Sequence, residues 1–185
     1  MARAPLTPLE YALLGLLGYM PASGYDVKRI FDTTPLAHFS SSPGAIYPAL
    51  KRLQQRGLLD AVLDTATEAR PRRVFSLTGA GQAALAEWLR QQVSEDELVR
   101  DGRSPMLRFA LAEGRLSLDE VVAYLEGMQN VVKAYLEKLY AHRGDVTGPG
   151  QLHARLALEH GIRGYEATAD WIDFAIAEIR AHTGA

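Results

Sequence analysis

A mainly α-helical fold with one small β-hairpin is what the sequence predicts, and three observations predict it. Most of the chain carries apolar residues at helical spacing. Two short runs, Ala61–Leu63 and Val74–Leu77, alternate or favour β-branched and aromatic residues around a polar turn. A Ser-Pro-Gly start followed by a short amphipathic helix lies just before that hairpin. The chain has 185 residues, room for one large or two small domains, and a hydrophobic fraction of 48%, enough for a packed core.

The first helix starts at Leu6-Thr7-Pro8-Leu9-Glu10. Thr7 is the cap, Pro8 occupies the first helical position, and Glu10 closes a capping box. The helix runs to about Gly18 and is apolar nearly all round, with Leu13, Leu14, Leu16 and Leu17, so it is expected at the centre of a domain. Ser23-Gly24-Tyr25-Asp26 is a second start of the same kind, and the helix it opens stops near Thr34-Pro35.

The stretch Ser40–Leu59, SSSPGAIYPALKRLQQRGLL, is the third helix. Ser42 is its expected N-cap and Pro43 its first residue. Ile46, Leu50 and Leu53 form the buried stripe, which leaves Tyr47, Lys51, Arg52 and Gln55 on the other sides. Gly57 suits a left-handed C-terminal residue. Pro48 lies a turn inside, so the first turn is expected to be loose and the regular helix to run from about Pro48 to Arg56. Three short helices with a polar turn before the third, then a hairpin, make a winged helix-turn-helix. The wing tip, Asp64–Arg73, is polar and holds Arg70, Arg72 and Arg73.

Net charge is −2, so the whole chain is not a basic nucleic-acid binder. Between Ser41 and Ala80, however, six basic residues face three acidic ones, a modest local excess of the kind a DNA-contacting wing and helix need. The chain has no cysteine, which excludes disulfides, thiolate metal sites and a cysteine nucleophile, and fits a cytoplasmic location. The apolar run Tyr11–Met20 is too short to span a bilayer, and Glu10 before it argues against a signal peptide. No phosphate loop, nucleophile elbow or H-E-x-x-H motif is present, and His153 and His160 are too widely spaced to chelate together. An enzyme, a cofactor and a metal are therefore not expected.

Beyond the hairpin, Thr78-Gly79 opens a fourth helix with Ala83, Leu85, Trp88 and Leu89 on its apolar stripe, ending near Gln92. Residues 94–104 are charged and read as a linker between a domain at 1–93 and a helical domain at 105–185. In the second domain Met106–Ala112 is a short helix. Ser117 caps a long one carrying Val121, Leu125, Met128, Val132, Tyr135 and Leu139. After a turn at Arg143–Gly150, a last helix carries Ile162, Tyr165, Ala169, Ile172, Ile176 and Ile179. These heptad-like seams predict an antiparallel pair. Val122, Tyr124, Val131, Leu136, Trp171, Phe174 and Ala175 lie off the seams, a surplus face expected to meet a second copy in a homodimer.

The string S-P-G-A-I-Y-P-A-L-K-R-L-x-x-x-G-L-L, with LEYALLGLLGYMPASGY upstream and RRVFSLTGAG downstream, resembles the recognition-helix region of the PadR-type transcriptional regulators. ALAEWL and PMLRF extend the likeness to roughly residue 110, and Phe75 stands where the family more often has tyrosine. The resemblance implies sequence-specific binding of double-stranded operator DNA by a homodimer, and repression relieved by a small aromatic or hydrophobic effector. It also implies that Ser42, Gly44, Tyr47 and Lys51 sit at the DNA surface. Arg52 joins Lys51 as the best candidate to reach DNA from the helix, and Arg70, Arg72 and Arg73 are expected to grip the flanking backbone or a minor groove. Trp88, Phe109, Trp171 and Phe174 are candidates to line an effector cavity between the domains or across the dimer. The competing expectation is a winged-helix protein-interaction module without specific DNA binding, in which Lys51 and the wing arginines are spectators.

Overall fold

The computed structural model describes residues 4–39, 42–64, 71–148 and 150–183. The chain divides into two compact units, 1–89 and 90–185.

The first unit holds α1 (Pro8–Tyr19), β1 (Ala22–Ser23), α2 (Gly24–Thr33), a 3-10 turn at Pro35–His38, α3 (Pro43–Gln55), β2 (Leu59–Asp64), β3 (Arg72–Leu77) and α4 (Gly79–Leu89). Both early capping boxes form. Thr7 and Glu10 cap α1 reciprocally, and Ser23 and Asp26 do the same for α2. α1 is central as expected: Ala12, Leu13, Leu14 and Leu17 are buried, and the helix packs on α3, α4 and β3.

α3 differs from the expectation at Pro48. The helix is continuous from Pro43 to Gln55, with Pro48 inside it. Ser42 is the cap by position and backbone, and its carbonyl accepts from both Ala45 and Ile46, which tightens the first turn. The proline removes a single backbone bond. Ile46, Ala49, Leu50 and Leu53, all fully buried, hold the helix across that gap. α3 ends in a Schellman motif: Gly57, at φ +73°, donates to Gln54, and Leu58 donates to Leu53.

β2 and β3 are longer than the sequence suggested and pair in antiparallel register from Leu59–Leu77 to Asp64–Arg72. A third strand was not foreseen. β1 pairs with β3, Ala22 opposite Phe75 and Ser23 opposite Val74, giving the order β1-β3-β2. Two residues are too few to show a strand period. Ser23 serves both as strand end and as helix cap.

The second unit holds α5 (Glu95–Arg100), α6 (Ser104–Ala112), α7 (Leu118–Arg143) and α8 (Leu152–Thr183). The stretch 94–104, expected as a linker, is folded. Ser94 caps α5 through Glu97 N–H, Leu98 is buried, and α5 packs on α6 and α7. Buried Arg108 of α6 reaches Glu97 at 2.8 Å and the Gln91 carbonyl at 3.2 Å. A helix of six residues with one buried leucine leaves almost no periodic trace, so its charges dominate the sequence.

α7 and α8 pack antiparallel, as the cross-links along their length show. Glu126 meets Arg180, Gln129 meets Asp173, Tyr140 meets Glu166 and Arg143 meets Glu159. The seam positions Val121, Leu125, Met128, Val132, Ile162, Ala169, Ile172 and Ile176 are buried. The off-seam residues divide. Tyr124, Leu136 and Ala175 are buried within this unit, Tyr124 donating to the Pro105 carbonyl at 2.9 Å, whereas Phe174 stands 61% exposed.

Candidate nucleic-acid interface

α3 is built with two unlike sides. Its apolar stripe closes the core, which turns Tyr47 and Lys51 outward; Tyr47 is 47% exposed. Ser42 and Gly44, at the start of the helix, are exposed as well. β3 brings Arg72 and Arg73 alongside. Together these elements line a concave groove of about 860 Å³, whose walls include Tyr25, Arg29, Tyr47, Lys51, Gln54 and Arg73. Phe75 forms part of its lining while being mostly buried in the sheet, and Arg73 lies 6.0 Å over its ring.

Gly24 sets the position of the tyrosine. A β-carbon at Gly24 would lie 2.4 Å from Tyr47 Cε1, so the ring rests directly on the first turn of α2.

The basic residues do not all stand alike. Lys51 is exposed on α3. Arg72 lies between two carboxylates, 3.7 Å from Asp64 and 3.9 Å from Asp26. A hydrogen bond from the Ser23 hydroxyl, against a smaller cost of burial, holds the Asp26 carboxyl below its ordinary range, with the backbone N–H of Ser23 and the charges of Arg72 and Arg29 adding to the effect. Arg52 is tied into the fold: its Nε donates to buried Glu10 at 2.9 Å, while about half of its side chain stays exposed. No spacing rule relates positions 10 and 52, so this pairing had no sequence signal. Arg70 lies outside the described residues.

Tyr25, Arg29 and Gln54 were missed as groove residues. Tyr25 is 69% exposed at the start of α2, and an exposed aromatic beside a capping box was the available signal.

The aromatic residues proposed for an effector cavity fall in different places. Trp88 is core of the first unit, stacked on Tyr11 at 4.3 Å between ring centroids. Phe109 and Trp171 meet edge to face at 5.2 Å in the second. Trp171 also lines a groove of about 410 Å³ with Leu98, Met106, Met128 and Tyr165. Among the described residues no three of His, Asp and Glu converge as metal ligands, and no helix is long and apolar enough to cross a membrane.

A bundle of three short helices closed by a three-stranded sheet, with an exposed basic helix beside a wing, defines a winged helix-turn-helix protein. Residues 13–87 match the transcriptional regulator PadR-like family, so the first unit is a PadR-like domain. The chain is 31% identical over 93 residues to the negative transcriptional regulator PadR of Bacillus subtilis, a match covering 50% of this chain and 51% of that relative. It is 23% identical over 180 residues to a probable transcriptional regulator of Mycobacterium tuberculosis, covering 89% of this chain and 94% of that one. Among solved structures, B. subtilis PadR in complex with operator DNA is similar with a TM-score of 0.45 at 26% identity, over 94% of this chain and 99% of that one.

Proposed function

We propose that the protein is a sequence-specific DNA-binding transcriptional regulator, a repressor that binds operator DNA as a homodimer and responds to a small aromatic or hydrophobic effector. The observation that carries this reading is the groove in which exposed Tyr47 and Lys51 of α3 stand beside Arg73 of the wing. α3 would enter the major groove. Lys51 would meet phosphate or a guanine edge, and Tyr47 would donate its hydroxyl to a phosphate oxygen. Ser42 and Gly44 would let the helix start approach the backbone. Arg72 and Arg73, together with Arg70, would hold the flanking strand. Two copies related by two-fold symmetry would read half-sites about one helical turn, ~34 Å, apart. The exposed Phe174 on α8 supports an interface between copies. The groove beside Trp171, lined by Leu98, Met106, Met128 and Tyr165, would be a place for an effector. The reading makes this a cytoplasmic binding protein rather than an enzyme.

The test is fluorescence anisotropy against the DNA upstream of the protein's own gene, beside a scrambled duplex of equal length. A preference of about 10³-fold or more supports operator binding. Equal, weak, salt-sensitive binding to both duplexes, and to any duplex recovered from a random pool, supports the protein-interaction module instead.

A further inference from the structure

We propose that Glu10 and Arg52 are a positioning pair that fixes the pose of α3 and so the aim of Tyr47 and Lys51, and that Arg52 does not itself contact DNA. The proposal deepens the DNA-binding reading of α3 and rests on it.

Glu10 is 3% exposed, one of four buried polar or charged residues among those described. Its two oxygens have separate duties. Oε2 serves α1 alone, accepting from Thr7 N–H at 2.9 Å and from the Thr7 hydroxyl at 3.2 Å. That is a complete capping box and would form without α3. Oε1 accepts from Arg52 Nε at 2.9 Å, a residue 42 positions away on another helix. Burial by itself opposes ionisation of this carboxyl. The Thr7 backbone N–H and the Arg52 guanidinium outweigh it and hold Glu10 below its ordinary range, so it is charged at neutral pH.

A buried carboxylate needs a counter-charge, and removing one partner of such a pair is strongly unfavourable. The Arg52 side chain, 52% exposed, reaches inward from the surface to supply it. Swinging out to a phosphate would strand Glu10, and DNA binding would have to offset that loss. The side chains that α3 buries in the core, Ile46, Ala49, Leu50 and Leu53, are apolar. That stripe sets which face of α3 turns inward, but burial is non-directional and holds the roll less closely than a directional bond does. The hydrogen-bonded ion pair is directional. It acts at the residue next to Lys51, on the helix whose Tyr47 ring must also settle on Gly24.

The variants are Glu10→Gln, which drops the charge and leaves one acceptor oxygen where Thr7 and Arg52 use two, together with Arg52→Gln, the double variant, and Arg52→Lys. In the free full-length protein, NMR resonances of Tyr47 and Lys51 shift in both single variants, shift no further in the double variant, and return towards wild type in Arg52→Lys. Resonances that stay in place overturn the proposal without reference to DNA, and so independently of whether any operator is found. Against a duplex recovered by the wild-type protein from a random-sequence pool, each single variant weakens binding by about tenfold, within the range for coupled neighbours, and the losses are not additive. The dependence of log affinity on log salt stays as in wild type, whereas Lys51→Gln lowers that slope by about 1. The opposite pattern, tighter binding by Glu10→Gln and a slope reduced by about 1 in Arg52→Gln, identifies Arg52 as a phosphate contact and overturns the proposal.

Discussion

Gly24 carries the ring of Tyr47: a methyl group added at Gly24 would overlap the ring edge at 2.4 Å. The two residues belong to different helices, and the contact joins the start of α2 to the exposed side of α3. In Gly24→Ala the ring must swing away, and Tyr47 is exposed enough to do so without unfolding the core. The expected outcome is a loss of operator affinity of about tenfold, with a stability cost no greater than the ~1–3 kcal/mol typical of overpacking. Anisotropy titration and thermal unfolding of the same preparation check it.

The wing arginines should act through charge. Arg73→Gln is expected to weaken binding to specific and scrambled duplexes by similar factors and to reduce the salt slope by about 1. Arg72→Gln should cost less affinity, because Asp26 and Asp64 already share its charge. A titration series over salt concentration separates the two.

Gly81 tests the seat of α4 rather than the DNA groove. A β-carbon there would lie 2.2 Å from the Leu58 carbonyl oxygen and 2.8 Å from Leu77 Cδ1. Backbone cannot step aside as a side chain does. Gly81→Ala should destabilise the first unit by roughly 2–4 kcal/mol, read as a lowered midpoint in urea. Affinity measured on the folded fraction should be near wild type.

Acid should weaken the first unit through two carboxyls. Glu10 and Asp26 both lie below their ordinary values of 4.5 and 3.8 when folded, so the unfolded chain binds their protons more readily. Their contribution is complete above those values and is lost as pH falls through them towards the folded values. The stability difference between wild type and Glu10→Gln is therefore expected to be largest near neutral pH and to shrink below about pH 4. Urea unfolding at several pH values reads it directly.

The local signals in the sequence determined the helices and their starts. Thr7-Pro8-Leu9-Glu10, Ser23-Gly24-Tyr25-Asp26 and Ser117 with Glu120 are contacts within one turn, so residue type and spacing suffice, and all three capping boxes form. Heptad spacing likewise marked the buried seams of α7 and α8, since helical period is a local property. The outward placement of Tyr47 and Lys51 followed from the same rule applied to α3.

Tertiary structure alone decided the rest. β1 exists because β3 offers it an edge; two residues have no period of their own. α5 is a folded helix because Leu98 is buried and Glu97 meets Arg108, neither visible in a charged hexamer. Helical spacing put Trp88 on an apolar stripe, but only the fold stacked it on Tyr11. Arg52 looked as basic and as exposed as Lys51 in the sequence. Only folding brought it within 2.9 Å of a buried carboxylate 42 residues away, a partner that no local spacing announces.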